Sequence, residues 1–600
     1  MALPLLIFFW WIGELATQAQ EEVPNAAVHL AAIAPGLQEQ LAESSAPVSF
    51  LVVLAEQPDP EGYLSRQGLR TASRTAKAEV IYRYLSGFAR SQQAPLRAWL
   101  DKQGIAYRAF YIVNAIEVQG DASLALALRA RTDVGRLAAN PAVILSQVER
   151  LAPASLDTAN PPPDPPYGIR QANAPVAWGL GYTGQEIVVA SQDTGVDWTH
   201  PALHDQYRGW ITATQTVTHP YNWYDYWGTA NRWNCDPDPQ VPCDDNSHGT
   251  HTVGTILGTD PADGQIIGMA PDAQWIGCRN MNGGNGTPAS YMACFEFFLA
   301  PFPQDGDPQT DGVPSKAPHI INNSWYCPPS EGCDLESLHQ VIKTVRAAGQ
   351  LIVVSGGNEG PACSSAQFPI TIYPEVFSVG AHNGAGNITG FSSRGPVTVD
   401  GSGRLKPQIT AAGDSVLSTI PGGSYGNKSG TSMAAPHMAG AAALLWSAAP
   451  HLIGQLDETE QIFLKSATPV LHNGCGEGSE PVSPNNTYGY GRLDVAAALG
   501  LALHPGLITT TVKTALGPLV GISVTLTDSR TNGQQVGLTD AVGQVTFQRV
   551  YSGTYGITAT GNWASGGMDV ALMADEAKSV EIELPANYYF PLIHSDGGVR

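Results

Sequence analysis

The sequence predicts a multidomain chain whose largest part is an α/β domain with a parallel β-sheet, preceded by an α+β domain and followed by a small all-β sandwich. Three observations predict this organisation. Between residues 167 and 503, near-continuous apolar strands alternate with helical stretches, as in a parallel sheet covered on both faces. Before this region, strand-like runs flank a long helical pattern. After it, short alternating strands are separated by glycine turns.

The first element is an eleven-residue apolar run at residues 3–13, too short to span a bilayer and suited to the core of a signal peptide. Thr17 and Ala19 are small residues that fit cleavage after Ala19, so 1–19 is predicted to be a signal peptide. Because no basic residue precedes the run, a buried N-terminal helix remains the alternative. No other stretch approaches 18 apolar residues, so we expect a secreted, extracellular protein without a transmembrane segment in its mature form.

The second element, residues 20–152, shows the pattern of a small α+β domain. Its predicted strands are 47–57 and 109–120, and its predicted helices are 73–104 and 121–143. The stretch that follows is so rich in proline that regular structure is excluded, and residues 153–166 are predicted to be an exposed linker. Such a linker is a natural site of proteolytic processing.

The eight cysteines all follow the apolar N-terminal run, and their even number favours disulfides formed outside the cytosol. No C-x-x-C is present, which argues against a zinc site. Short loops close at little entropic cost, so three local pairs are predicted. These are Cys235–Cys243, Cys278–Cys294 and Cys327–Cys333. Cys363 and Cys475 then either pair at long range or remain free.

The composition excludes some function classes. Acidic residues number 53 and basic residues 31, which gives a formal net charge of -22. Such a chain lacks the basic surface that binds nucleic acid or an anionic membrane. We therefore expect no nucleic-acid partner.

Asp193 is the first candidate functional residue, because it ends the apolar strand EIVVAS and begins the sequence DTGVDW. The carboxyl ends of parallel strands are where α/β sheets carry functional groups. An aspartic protease needs two carboxylates that share a proton. The sequence contains no second D-T/S-G, so that interpretation fails.

His248 is the second candidate and lies in DNSHGTHTVGT, where Asn246 or Ser247 is expected to cap a helix. A zinc site built from His248 and His251 would require a third ligand and normally a glutamate between the histidines, and neither is evident. His251 is better explained as a structural residue.

Ser432 and Asn358 complete the set of candidates. Ser432 lies where a Gly-Thr-Ser turn enters an alanine-rich helix, which exposes a hydroxyl beside backbone N–H groups, although an ordinary N-cap serine has the same local pattern. The sequence is not G-x-S-x-G, which argues against an α/β-hydrolase. Asn358 follows a buried strand and Gly357, where its amide could donate to an oxyanion or simply occupy a turn.

The order Asp, His, Asn, Ser within one α/β domain resembles the subtilisin-like serine proteases, the subtilase family S8. The stretches DTGVDWTHP, NSHGTHTVGT, SGGNEG and GTSMAAPHMAG match its motifs, and other segments resemble the bacillopeptidase F-like branch. The resemblance implies a subtilisin-like catalytic domain and a serine endopeptidase acting on proteins or peptides. Ser432 would be the nucleophile, His248 the base, Asp193 its orienting residue and Asn358 an oxyanion donor.

The resemblance also implies that the segment INNSWYC pairs with the substrate backbone and walls the P1 pocket, with Ser324, Trp325, Tyr326 and Gly357 as substrate-binding residues. Glycine is usual near the position of Tyr326. If its phenol points inward, it fills space needed by a large P1 or P4 side chain; if it points outward, it is a surface group.

The flanking domains fit the same family. Residues 20–152 resemble an inhibitor I9-like propeptide, which implies an autoprocessed pre-pro-enzyme whose own propeptide is an inhibitory partner. Residues 506–586 resemble a carboxypeptidase-regulatory-like β-sandwich, followed by a tail at 587–600. Attachment to the cell surface through this region is a hypothesis to which no particular residue points.

The resemblance requires no cofactor. Ca²⁺ in a stabilising role is considered for the acidic loop that contains Asp305, Asp307 and Asp311, but the full calcium-loop pattern is absent and a solvated loop is more common. The rival function is a catalytically silent extracellular binding protein. The presence of all four candidate residues argues against it, because binding alone requires none of their roles.

Overall fold

The computed structural model describes residues 30–140, 143–144, 165–228, 235, 237–262, 264–327, 333–476, 478–562 and 564–585, with backbone only for 143–144. The predicted signal peptide, most of the predicted linker and the tail at 587–600 lie outside the described residues. Within the described part, no helix combines the length and the apolar character needed to cross a membrane.

The N-terminal domain is built on a mixed five-stranded sheet with strand order β1-β5-β2-β4-β3. Its elements are β1 (Ala32–Ile33), α1 (Pro35–Glu43), β2 (Val48–Leu54), α2 (Pro60–Arg66), α3 (Arg74–Gln103), β3 (Tyr107–Phe110), β4 (Ala115–Gly120), α4 (Ala122–Arg129), β5 (Val134–Ala139) and the short β6 (Val143–Ile144). The expected helix at 121–143 is wrong beyond Arg129. Its second half forms β5, because Leu137 and Ala139 bury their side chains when they alternate on a strand beside β2.

The central domain confirms the predicted parallel sheet, which has seven strands in the order β10-β11-β7-β13-β14-β15-β16. Its first elements are α5 (Tyr167–Gln171), α6 (Ala174–Gly179), β7 (Val188–Asp193), α7 (Pro201–His204), β8 (Trp210–Ile211), β9 (Thr216–Val217), β10 (Trp223–Asp225), α8 (His248–Leu257), β11 (Gln274–Arg279), β12 (Asn285–Gly286) and α9 (Pro288–Leu299). The remaining elements are β13 (Ile320–Asn323), α10 (His339–Ala347), β14 (Leu351–Ser355), β15 (Phe377–His382), β16 (Ile409–Ala412), β17 (Val416–Ile420), β18 (Ser424–Lys428), α11 (Thr431–Ala448), α12 (Leu456–Ser466) and α13 (Val495–Leu503), with 3₁₀ turns at Pro314–Lys316 and Pro450–Leu452.

Hydrophobic clusters cover both faces of this sheet, as the apolar strands predict. On one face, α8, α11, α12 and α13 pack around the buried Trp446. On the other face, α9 and α10 pack together with residues of the N-terminal domain, including Tyr82 and Tyr111, in one continuous core. The two domains therefore share a hydrophobic core, in addition to a separate one beneath the N-terminal sheet.

The C-terminal domain is the predicted sandwich, with β19 flanked by β20, β23 and β26 in one sheet and the order β22-β21-β24-β25 in the other. Its strands are β19 (Gly506–Thr514), β20 (Gly517–Pro518), β21 (Ser523–Asp528), β22 (Gln534–Leu538), β23 (Gln544–Val550), β24 (Gly553–Thr560), β25 (Ser565–Leu572) and β26 (Ala577–Glu583). Strands β22 and β25 lack the alternating pattern that predicts a strand, because both lie at sheet edges and expose most of their residues.

A buried polar contact joins the sandwich to the central domain. Only two residues separate α13 from β19. Lys465 of α12 forms an ion pair with Asp528 and donates to the hydroxyl of Tyr555 at 2.6 Å. Arg530 donates to three backbone carbonyls of the central domain, including that of Ala467 at 2.7 Å.

All three predicted local disulfides are confirmed. Cys363 and Cys475, which the sequence left undecided, form a fourth disulfide across 112 residues. This bond attaches the loop that follows Asn358 to the segment before α13. The described part of the chain contains no free cysteine.

Candidate active site

The candidate residues meet at the carboxyl ends of three neighbouring strands. Asp193 ends β7, Ser324 follows β13, and Asn358 lies three residues beyond β14. Because β7, β13 and β14 are adjacent and parallel, their carboxyl ends lie at one edge of the sheet. Helices α8 and α11 begin at the same edge, and they bring His248 and Ser432 to it.

Asp193 and His248 form a buried pair. The Nδ1–H of His248 donates to Oδ1 of Asp193 at 2.7 Å, and both side chains are at most 3% exposed. The same carboxylate oxygen accepts the backbone N–H of Thr194 at 2.7 Å. Since Nδ1 carries the proton in this contact, the neutral ring presents Nε2 as a proton acceptor.

The loop before His248 is held by Asp244, a residue that sequence reasoning did not identify. Its Oδ1 accepts the backbone N–H groups of Asn246 and Ser247, and its Oδ2 accepts the N–H and hydroxyl of Thr250. Burial raises the pKa of Asp244, and these hydrogen bonds oppose that effect. The expected side-chain cap from Asn246 or Ser247 is absent: Ser247 adopts φ 79° without a capping bond, and Asp244 binds the helix amides instead.

His251 is a structural residue, as expected. Its Nε2 contacts the carbonyl oxygens of Val416 at 3.0 Å and Gly426 at 3.2 Å. Burial lowers its pKa well below the usual value, so the ring is neutral. An Nε2–H that donates to carbonyls is not available as a metal ligand.

Ser432 lies in the first turn of α11. The helix begins at Thr431 after Gly430, whose φ of 159° is extended backbone. The Ser432 hydroxyl donates to the carbonyl of Ser324 at 3.1 Å, and the Ser324 hydroxyl donates to the carbonyl of Ser432 at 2.8 Å. Ser432 is therefore not an N-cap residue, and its position is tied to the segment after β13.

Asn358 is oriented by Thr431. Its Oδ1 accepts the backbone N–H of Thr431 at 2.9 Å and the Thr431 hydroxyl at 2.8 Å. The preceding Gly357 has φ 94°, and a Cβ there would lie 2.7 Å from Oγ of Ser393. Glycine is required at this position, since it allows the turn that carries the Asn358 amide to the sheet edge.

Strand β12, which follows β11, also borders the site. The two residues of β12 pair antiparallel with β6 of the N-terminal domain, with Gly286 opposite Val143 and Asn285 opposite Ile144. A Cβ on Gly286 would lie 2.5 Å from the Tyr291 hydroxyl. The Tyr291 ring stacks on the ring of Trp325 with centroids 3.6 Å apart, and both are buried.

Tyr326 points into the protein. It is 6% exposed, its hydroxyl donates to Glu359 Oε1 at 2.9 Å, and its ring stacks on Phe368 with centroids 5.5 Å apart. Glu359 directly follows Asn358, so the phenol lies beside the candidate oxyanion residue. The phenol is therefore not a surface group, and its place in the P1 or P4 pocket stays a prediction.

The carboxylates of the acidic loop are hydrogen-bonded to neighbouring residues. Asp307 Oδ1 accepts the N–H of Gln309, and Asp311 Oδ2 accepts the N–H of Asp307. The carboxylates are thus engaged by the loop itself, and Asp305 accepts a hydrogen bond from Gln240. Across the described residues, no group of three or more His, Cys, Asp or Glu side chains is arranged to hold a metal ion.

Comparisons with known proteins agree with this architecture. A family model described as the subtilase family matches residues 184–491. Bacillopeptidase F of Bacillus subtilis (strain 168) is 37% identical over 350 residues, which are 57% of this chain and 22% of that protein. Subtilisin of Bacillus pumilus is 31% identical over 288 residues, 48% of this chain and 86% of that protein. Subtilisin E of Bacillus subtilis (strain 168) is 28% identical over 388 residues, 63% and 84% of the two chains. The chain thus spans about a fifth of bacillopeptidase F and most of the subtilisins.

Proposed function

Since the chain belongs to the subtilase family, we propose that it is a secreted serine endopeptidase that hydrolyses peptide bonds of proteins and requires no cofactor. Ser432 is the nucleophile, His248 the general base, and Asp193 the residue that orients the base. The observation that carries this proposal is the 2.7 Å contact between His248 and Asp193, buried at the sheet edge where Ser432 also lies.

The proposed chemistry follows from the positions of these groups. Oγ of Ser432 attacks the peptide carbonyl while Nε2 of His248 accepts its proton and later transfers it to the leaving amine. Asp193 holds the Nδ1–H tautomer and stabilises the imidazolium that forms. Nδ2 of Asn358 and the backbone N–H of Ser432 donate to the developing oxyanion, at the start of a helix whose dipole favours negative charge.

Contacts between the domains support an inhibitory propeptide in residues 20–152. Glu296 on α9 accepts the backbone N–H groups of Tyr111 and Ile112, and burial raises the pKa of Glu296 to about 7. Strand β6 adds to β12 as an extended peptide adds to a free strand. The end of the N-terminal domain thereby occupies the border of the cleft where a substrate backbone would bind.

The direction of β6 indicates where the precursor is cleaved. Strand β11 ends beside Asp193: the N–H of Asn280, the residue after β11, donates to the Asp193 carbonyl at 3.0 Å, and the chain then continues to β12. Since β6 is antiparallel to β12, it runs from Val143 opposite Gly286 to Ile144 opposite Asn285, which is the direction from β12 back toward the end of β11. The processed bond therefore follows Ile144, in agreement with a propeptide that ends near residue 152. N-terminal sequencing of the mature protein tests this, and a mature chain that begins before residue 145 would contradict it.

Secretion is supported by the predicted signal peptide and by four disulfides, which form and persist outside the cytosol. The rival proposal, a silent extracellular binding protein, leaves the buried Asp193–His248 pair without a role. A buried polar pair costs stability unless fully satisfied, so a binding protein gains nothing from keeping it.

A fluorophosphonate probe tests the proposal directly. We expect the mature protein to be labelled at Ser432 and to cleave casein. Ser432→Ala should abolish both and leave the precursor uncleaved, because triad residues act as a unit. Ser429→Ala is the matched control. Ser429 lies in the turn before α11, and its hydroxyl donates to Asp414 at 2.9 Å. We expect the Ser429→Ala protein to be processed and to cleave casein normally. Casein cleavage by purified Ser432→Ala at the wild-type rate would refute the assignment.

A further inference from the structure

Arg279 is a buried cation with no role in the chemistry proposed above. It ends β11, where its Cα is the register partner of Asp193. Its side chain is fully buried, as are those of Asp225 and Asp245, with which it forms ion pairs. Nη1 donates to Asp225 Oδ1 at 3.0 Å, and Nη2 donates to Asp245 Oδ2 and to Asn282 Oδ1.

The three partners of Arg279 belong to three different parts of the site. Asp225 ends β10 at the edge of the sheet. Asp245 lies in the loop that leads to His248, three residues before it. Asn282 lies in the connection that enters β12, and the N–H of the next residue, Gly283, also donates to Asp245 Oδ2, at 2.9 Å. One guanidinium therefore connects the sheet edge, the histidine loop and the cleft strand.

The cleft strand depends on this connection more than the histidine does. Strand β12 has only two residues, and the preceding Gly283 and Gly284 adopt φ 57° and 88°, conformations that leave the segment flexible without outside contacts. His248, in contrast, is held separately by its bond to Asp193 and by the Asp244 network. Loss of Arg279 would remove the donor to Asn282 and the cation beside the buried Asp245, which itself accepts the N–H of Gly283, so the connection to β12 would be displaced first.

We propose that Arg279 is a positioning residue that holds β12 in register for the backbone of an extended substrate, and so controls the gain in activity that residues beyond P1 provide. This inference rests on the proposed function. An extended peptide would add to β12 as β6 does, so its binding requires the strand to be in place. A substrate with a P1 residue alone does not reach β12 and should be indifferent to Arg279.

The experiment compares kcat and KM on two substrates, a P1-only amino-acid ester and a peptide amide with residues P4 to P1. In the wild-type enzyme the ratio of the two kcat/KM values gives the length gain. Arg279→Met should weaken about two backbone hydrogen bonds between β12 and the long substrate. It should therefore reduce the length gain about tenfold or more, mainly by raising KM for the long substrate. The ester kcat should stay within about threefold, since a catalytic defect would move both substrates equally. Arg279→Lys should restore part of the gain.

The matched control is Arg346→Met. Arg346 is a largely buried arginine, 15% exposed, that also pairs with two carboxylates, Glu460 and the exposed Asp457, but it lies on α10 outside the cleft. It should keep the wild-type length gain, which separates positioning from a general loss of stability. If Arg279→Met does not fold, Asn282→Ala carries the test, because it removes a neutral acceptor of the same guanidinium without leaving a buried charge. We expect a smaller loss of length gain with an unchanged ester rate.

The outcomes are distinct. Equal losses on both substrates in Arg279→Met, or a wild-type length gain in that variant, would overturn the role of Arg279. If Arg279→Met does not fold, a wild-type length gain in Asn282→Ala would overturn it. A wild-type enzyme that hydrolyses neither substrate would instead overturn the proposed function itself.

Discussion

The hydroxyl of Thr431 provides a quantitative test of the oxyanion site. It is one of two donors that hold Oδ1 of Asn358, the other being the backbone N–H of the same threonine. Thr431→Val keeps the shape of the side chain and the backbone donor and removes only the hydroxyl. The Asn358 amide should then be less well oriented toward the oxyanion, and kcat should fall.

The size of the effect follows from the two contacts. One neutral hydrogen bond contributes about 0.5–1.5 kcal/mol, so Thr431→Val should lower kcat by about two- to twelvefold. Asn358→Ala removes the proposed oxyanion donor itself, and the loss of such a donor costs about 10²–10³ in kcat. KM should change little in both variants, since the donor acts on the transition state.

A double-mutant cycle on a peptide amide substrate measures whether the two residues act together. In Asn358→Ala there is no amide to orient, so adding Thr431→Val should reduce kcat by less than about twofold. Thr389→Val is the control: this buried threonine donates its hydroxyl to the carbonyl of Ala381, and kcat should be unaffected. If Thr431→Val lowered kcat by the same factor in both backgrounds, the hydroxyl would act on Ser432 and not through Asn358, and the reasoning would be refuted.

Three further predictions concern the pocket, a disulfide and a buried lysine. On a peptide library, Tyr326→Gly should widen the P1 or P4 preference toward bulky side chains, whereas Tyr326→Phe, which loses only the hydrogen bond to Glu359, should not. Identical profiles for Tyr326→Gly and the wild type would show that the phenol does not line the pocket. In the inactive Ser432→Ala background, replacing Cys363 and Cys475 by serine should lower the free energy of unfolding by about 5 kcal/mol, because this disulfide closes a loop of 112 residues. Replacing Cys278 and Cys294, which close a loop of 16 residues, should lower it by about 3 kcal/mol. Equal shifts in the denaturation midpoints of the two variants would contradict the chain-entropy account. Burial lowers the pKa of Lys406 to about 7, so between about pH 7 and 10.5 the unfolded chain binds more protons than the folded one, and the free energy of unfolding should rise with pH. Denaturant titrations over this pH range should show a smaller rise for Lys406→Met than for the wild type.

The sequence predicted the parts of the fold that depend on local pattern. Strand β14 is a nearly continuous apolar run, β7, β13 and β15 begin with apolar residues and include polar ones, and each strand is buried in the sheet. The candidate residues at their carboxyl ends were therefore identifiable one by one. Edge strands such as β22 carry no comparable signal, because exposed residues are not constrained to be apolar.

The supporting residues of the site could not be predicted, because their roles arise from contacts distant in sequence. Besides its contacts within the histidine loop, Asp244 accepts the hydroxyl of Thr194, some 50 residues away, and Arg279 joins segments 54 and 34 residues before it. In the sequence these are an ordinary acidic pair and one strand-ending arginine. The orientation of Tyr326 was likewise undecided until the structure placed Glu359 and Phe368 beside it.

The attachment of the C-terminal sandwich limits how it can be used. The two-residue connection, the buried Lys465–Asp528 pair and the bonds of Arg530 to three carbonyls of the central domain all resist rotation of the sandwich. Any ligand bound at the end of the sandwich that faces away from the central domain would be held at a constant distance and direction from Ser432. The domain would thus restrict the enzyme to cleavage sites at a set spacing from the anchorage point. Ending the chain after residue 504 would also expose the carboxyl-terminal part of α12, so the sandwich cannot be treated as a removable appendage.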